Sequence, residues 1–199
     1  MAENIPKPNL FIVGAPKCGT TSLNAYLHQH PDVCMCRNKE PCYFASDFDS
    51  PIYPKTEEKY LRYFKHWKGE KVIGEATTTY LYSKRAAYEI SQYNPDAKII
   101  IMLRNPVDMI YSLHSERVYE ASEDILDFKE ALEAEKERRS GKRIPPALIY
   151  PAAYLLYRDM GTYSHQIERF LENFDRNQIM IIVLEEFIKD IARQFEEVC

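Results

Sequence analysis

The chain has 199 residues, 45% of them hydrophobic and 28% charged, with a formal net charge of −4. That length and apolar content suit one globular domain with a sizeable core. The acidic balance argues against a nucleic-acid protein, so any anion site must be built locally from a loop and a few cations.

Taken in chain order, residues 10–13 form a first buried strand and residues 20–30 a first helix, which Pro31 ends. A helix over 57–66, a strand at 72–73 and a helix over 84–93 follow. Residues 99–103 are a near-continuous aliphatic run, as in a parallel strand covered on both faces. Asn105 is a plausible cap for a helix opening at Pro106, since proline suits the first turn. Residues 125–139 mix Ile125, Phe128 and Leu132 with many charges, the pattern of a solvated surface helix. The proline-rich "GKRIPPALIYP", 141–151, reads as a mobile connection rather than a domain boundary. A helix over 163–174, a second aliphatic strand over 179–184 and a helix over 187–198 complete the set. Strands alternating with helices predict an α/β domain with a central, mainly parallel sheet flanked by helices, with ligands at the carboxyl ends of strands.

No window approaches the roughly 20 apolar residues that span a bilayer, and "MAENIPKPNLF" lacks the basic-then-apolar pattern of a signal peptide. Five cysteines, an odd number, without an export signal suggest reduced thiols and a cytoplasmic setting. Cys34, Cys36 and Cys42, even with Cys18, lack the paired spacing of a structural zinc site.

The stretch "FIVGAPKCGTTSLNAYL" carries the first chemistry. Gly14 and Gly19 have the spacing of a nucleotide-triphosphatase loop, but Thr20 stands where the lysine should be and Lys17 sits inside the loop. Backbone N–H groups of residues 17–21 converge at a helix N-terminus, where unpaired donors and the dipole favour an anion. Thr20, Thr21 and Ser22 add hydroxyls. The plain alternative is an ordinary glycine-bearing turn. A second anion clamp is offered by "IIIMLRNPVDMIYSLHSERV", with Arg104 at a strand end and Ser112 two turns into the next helix. Arg104 taken alone is equally a structural ion pair. In "NKEPCYFA", Glu40 beside Tyr43 and Phe44 is a base candidate whose pKa partial burial would raise. A lone glutamate in such a segment is otherwise a solvated charge.

Together these motifs, strand-GxxKxGTTS-helix, KExxYF and strand-LRNPV-x4-S, resemble the sulfotransferases that use 3′-phosphoadenosine 5′-phosphosulfate (PAPS), and within them the carbohydrate branch with its bacterial relatives. The resemblance spans essentially the whole chain and implies a P-loop-like three-layer fold. It implies that Lys17, Cys18, Gly19, Thr20, Thr21 and Ser22 hold the 5′-phosphosulfate, and that Arg104 and Ser112 bind the 3′-phosphate. It makes Lys17 and Glu40 catalytic, with His114 as the alternative base. The reaction implied is in-line transfer to an acceptor hydroxyl on a carbohydrate, lipid or other alcohol, leaving adenosine 3′,5′-bisphosphate. A sulfuryl group carries less charge than a phosphoryl group, so no metal is expected, and Lys17 suffices for the oxygen between phosphorus and sulfur.

Two features depart from the family pattern. Ala76 follows Glu75 where the heparan-type pattern has a lysine. The chain also stops at Cys199, before the basic, glycine-containing loop that closes over the 3′-phosphate, so residues 1–199 are expected to form a single domain lacking the C-terminal part of the fold. Two rival readings remain at this level: a magnesium-dependent P-loop kinase of small metabolites, against which the missing adjacent lysine argues, and a catalytically weak nucleotide-binding homologue.

Overall fold

The structure, a computed structural model, describes residues 5–48, 50–146, 148 and 150–199. Five strands, β1 (Leu10–Gly14), β2 (Val33–Met35), β3 (Val72–Ala76), β4 (Lys98–Leu103) and β5 (Ile179–Val183), form one sheet in the order β2-β3-β1-β4-β5. Every pairing is parallel. Helices α1 (Thr20–Leu27), α2 (Glu57–Leu61), α3 (Ala86–Tyr93), α4 (Pro106–Tyr119) and α5 (Phe128–Arg138) connect and cover it. They are followed by α6 (Tyr157–Met160), α7 (Tyr163–Leu171), α8 (Leu184–Phe187) and α9 (Ile191–Val198). The result is the α/β three-layer architecture.

β1 and most of β4 are buried because their side chains are apolar on both faces of the pleat. β5 differs from the expected doubly covered strand: it is an edge, and Ile181 and Val183 stand exposed. β2, at the other edge, is a short strand that its own sequence does not announce; it exists because Val33, Cys34 and Met35 pair in register with Val72, Ile73 and Gly74. Asn105 caps α4 as its side chain accepts the Val107 N–H at 3.0 Å, with Pro106 in the first turn. α5 begins later than predicted, at Phe128, because Asp127 accepts the Glu130 N–H at 2.8 Å and fixes the start there. The last helix, expected over 187–198, starts later: α8 ends at Phe187, and α9 opens at Ile191 with Asp190 as its cap. In the 141–151 connection, Ala147 and Ile149 lie outside the described residues. The tyrosines that follow belong to the core: Tyr154 is buried with its hydroxyl 3.3 Å from that of Tyr53, and Tyr157 is buried too.

A buried ion pair ties the α4–α5 connection to the helices around it. Arg138 Nη2 donates to Glu123 Oε1 at 2.7 Å with both side chains fully enclosed, and the Tyr157 hydroxyl donates to Glu123 Oε2 at 2.8 Å. The chain runs from β1 out to β2 and back to β3 on one side, then crosses to β4 and β5 on the other. The direction reverses at β1, and a ligand crevice belongs at the carboxyl ends of β1 and its neighbours.

Candidate active site

Three strand ends meet at that crevice. β1 leads into the glycine loop, and the loop's shape depends on both glycines. Gly14 has φ +143, and a Cβ there would come within 2.5 Å of the Thr78 carbonyl oxygen. Gly19 has φ +85, and a Cβ would lie 2.8 Å from Leu184 Cδ1. The loop is pinned on both sides, by Leu81 N–H on the Val13 carbonyl at 2.7 Å and Ala15 N–H on the Met102 carbonyl at 2.6 Å. The bonds of α1 begin with the N–H groups of Ser22 and Leu23 on the Gly19 carbonyl, so Thr20 and Thr21 offer N–H groups without helical acceptors. Cys18 is buried beneath, its thiol pushed up to about 12 by burial, with Tyr163 Oη 4.0 Å away.

Lys17 has φ 59 and extends its ammonium over the loop to Glu116 of α4, 2.7 Å from Oε1; both side chains remain about a third exposed. This contact, across 99 positions, is not visible in the sequence. Lys17 is therefore held by a carboxylate from a distant helix.

Glu40 stands at the end of β3. Its N–H donates to the Ala76 carbonyl at 3.0 Å, and its carboxylate accepts the Thr78 N–H at 2.8 Å and the Thr78 hydroxyl at 3.1 Å. Lys39 joins it to the glycine loop: the ammonium donates to Thr21 Oγ1 at 2.8 Å and lies 3.5 Å from Glu40 Oε1. Although 36% of the Glu40 side chain is still open, the group sits deep enough that desolvation raises its pKa. Lys39 and Thr78 pull the other way without cancelling the shift. A carboxylate with a raised pKa beside the glycine loop is suited to accept a proton. Ala76, where the sequence pattern called for a cation, is buried and contributes its carbonyl to Glu40 instead of a side chain.

Arg104 follows β4, and its carbonyl accepts the Tyr163 hydroxyl at 3.1 Å. The Asn105 N–H donates to Glu185 Oε1 at 2.9 Å, and this bond, with the Arg104 charge assisting, holds the Glu185 carboxyl below the usual range. Ser112 is half-buried on α4. His114 is buried, with Nε2 2.9 Å from the Ile125 carbonyl oxygen and its ring against Phe128 and Tyr157. None of those contacts lies in the loop, so the structure gives His114 a packing role and does not bring it together with Lys17 and Glu40.

Cys18, Cys34, Cys36 and Cys42 are buried free thiols, and among the described residues no group of three or more histidine, cysteine or carboxylate side chains is arranged to hold a metal. A cavity of about 640 Å³ lies at the opposite, amino ends of the strands, between Asn9, Lys98 and Val198, so volume does not locate this site. Among the described residues, no helix is long and apolar enough to cross a membrane.

Sequence reasoning did not assign Thr78, Glu116 or Tyr163. The hydroxyl run after Glu75 was the one available hint for Thr78; Glu116 and Tyr163 reach the site from distant helices and leave no local motif.

A family model for the sulfotransferase domain matches residues 7–199. The crystal structure of a sulfotransferase from Alicyclobacillus acidocaldarius is 36% identical, with a TM-score of 0.87 over 98% of this chain and 80% of that one. The membrane-associated sulfotransferase kil1 of Dictyostelium discoideum is 35% identical over 104 residues, 51% of this chain and 21% of that protein. The bifunctional heparan sulfate N-deacetylase/N-sulfotransferase 1 of Caenorhabditis briggsae is 28% identical over 94% of this chain, again 21% of that protein. The chain thus spans about a fifth of the length of these two relatives.

Proposed function

The chain belongs to the sulfotransferase domain family, and on that premise we propose that it transfers a sulfuryl group from PAPS to a hydroxyl of a carbohydrate acceptor. The observation that carries this reading is the Lys39 bridge, which sets Glu40, a carboxylate of raised pKa, beside Thr21 of the glycine loop. Kinase chemistry would ask for a lysine next to Gly19, and Thr20 stands there.

In this reading residues 17–22 hold the 5′-phosphosulfate, through backbone N–H groups and the hydroxyls of Thr20, Thr21 and Ser22. Arg104 and Ser112 take the 3′-phosphate. The acceptor oxygen attacks sulfur in line. As its bond to sulfur forms, the bond from sulfur to the bridging oxygen breaks, and the hydroxyl proton passes to Glu40. Negative charge grows on the departing phosphate oxygen, and Lys17, released from Glu116, answers it; removing one such group costs about 10²- to 10³-fold in rate. Glu40 as general base contributes on the order of 10²- to 10⁴-fold. No step requires a metal, because the sulfuryl group carries little charge to neutralise. The carbohydrate class is supported by the names of the heparan sulfate relatives.

Two measurements test the proposal. Calorimetry should give binding of adenosine 3′,5′-bisphosphate in preference to ATP with magnesium; ATP binding with no bisphosphate binding overturns the donor. Transfer from ³⁵S-labelled PAPS to completely desulfated heparan sulfate should fall by at least about 100-fold in both Lys17→Ala and Glu40→Gln. A Glu40→Gln variant as active as the parent removes Glu40 from the mechanism.

A further inference from the structure

Glu75 is a fully buried carboxylate at the end of β3, enclosed by hydroxyls. Tyr60 and Tyr80 donate to its Oε1 at 2.6 and 3.1 Å, and Thr77 donates to its Oε2 at 2.7 Å. In its ionised form, which the folded protein reaches as pH rises past about 7, the carboxylate only accepts, so each hydroxyl then directs its single proton inward and turns its lone pairs outward. Two of those hydroxyls meet backbone N–H groups of one loop: Thr77 Oγ1 accepts from Cys42 at 3.4 Å and Tyr80 Oη from Phe44 at 3.2 Å.

That loop carries Glu40. Glu40 and Cys42 have φ of 60 and 53, left-handed values that cost a non-glycine residue about 1 kcal/mol or more and persist only where neighbours fix them. The Phe44 ring anchors the far end, edge-on to Phe11 and Tyr60. The direction of every proton in the network therefore follows from one group, and the network ends on the segment that aims the candidate base.

We propose that Glu75 is a positioning residue for sulfuryl transfer, holding the Glu40 loop in its left-handed conformation through Thr77 and Tyr80. This rests on the reading of Glu40 as the base. A glutamine at position 75 keeps the shape but presents an NH₂ group to one hydroxyl, reversing that hydroxyl so that its proton points at the loop N–H. The charge of Glu40 in turn helps raise the pKa of Glu75.

The test uses the full chain, ³⁵S-labelled PAPS and completely desulfated heparan sulfate, with bisphosphate calorimetry alongside. Glu75→Gln and Thr77→Val should each lower kcat by about 10- to 100-fold, the scale of a misplaced catalytic group. The KM for PAPS and the Kd for the bisphosphate should stay unchanged. Thr77→Ser should restore the rate. Should Glu75→Gln not fold, the Thr77→Val and Thr77→Ser pair decides. Undiminished kcat in Thr77→Val, while Glu40→Gln abolishes transfer, overturns the positioning role and leaves the base intact. An equal loss of bisphosphate binding also overturns it, by showing general damage. Transfer persisting in Glu40→Gln overturns the base and the positioning role together.

Discussion

The folded protein should become less stable between pH 5 and pH 8 because of one side chain. Glu75 is enclosed at the sheet's end, and burial pushes its carboxyl from 4.5 to about 7; the hydrogen bonds from Tyr60, Thr77 and Tyr80 oppose the shift, and the Glu40 charge adds to it. The folded state thus holds this proton more tightly than the unfolded chain does. Its contribution to stability is full below the unfolded value, declines as pH rises through about 7, and is gone above it. At 1.36 kcal/mol per pKa unit, the loss over that window is about 3 kcal/mol, a large fraction of the 5–15 kcal/mol that typically holds a domain together. Glu75→Gln removes the titration. Its amide cannot accept from all three hydroxyls, but that cost does not vary with pH. Urea unfolding followed through the single tryptophan, Trp67, at pH 5, 6, 7 and 8 yields the two profiles. The parent should lose about 3 kcal/mol more than the variant across the range. Glu40, raised in the same direction, is present in both chains and largely cancels in the difference. Parallel profiles would refute the claim that Glu75 is forced to charge in a dry site.

Glu116→Gln should release Lys17 from its 2.7 Å contact and tighten adenosine 3′,5′-bisphosphate binding by about two- to fivefold, the worth of a partly exposed ion pair; unchanged affinity in calorimetry would show that the pair does not compete with ligand. Gly19→Ala places a Cβ against Leu184 at a φ of +85 and should cost about 1–3 kcal/mol in thermal or urea unfolding, with bisphosphate binding weakened as the loop shifts. Arg138→Met leaves Glu123 charged and enclosed and should cost about 3–5 kcal/mol, whereas adding Glu123→Gln to it should recover most of that loss.

Much of this fold was legible because its strands are buried parallel runs, and such runs announce themselves locally. Ile99 to Leu103 needed no partner to be read. β2 was not legible, since three residues of Val-Cys-Met take strand form only through their register with β3. The same division holds at the site. Gly14, Lys17 and Gly19 are a local motif, because a loop that presents backbone N–H groups to an anion is made by consecutive residues. Arg104, Asn105 and Pro106 are a strand end and a cap, also local. Thr78 and Glu116 act from other segments, and nothing in their own neighbourhoods requires them to do so. His114 shows what a linear reading leaves out: a histidine near a candidate phosphate ligand looks chemical there, and in the fold its ring packs against Phe128 and Tyr157.

The displaced lysine can now be weighed against the residues around it. A lysine following Gly19 would emerge from the first turn of α1. Lys17 instead rises from a left-handed position in the loop and already reaches across to α4. Glu40 is held in the contrary way, by two bonds to Thr78, one to Ala76 and a lysine bridge to Thr21. The site thus pairs a cation held by one partly exposed ion pair with a carboxylate fixed by several bonds. That division suits a transfer in which a proton leaves at one well-defined oxygen while charge accumulates on the departing phosphate. It also explains why the loop carrying the carboxylate, rather than the one carrying the lysine, is tied to a buried network.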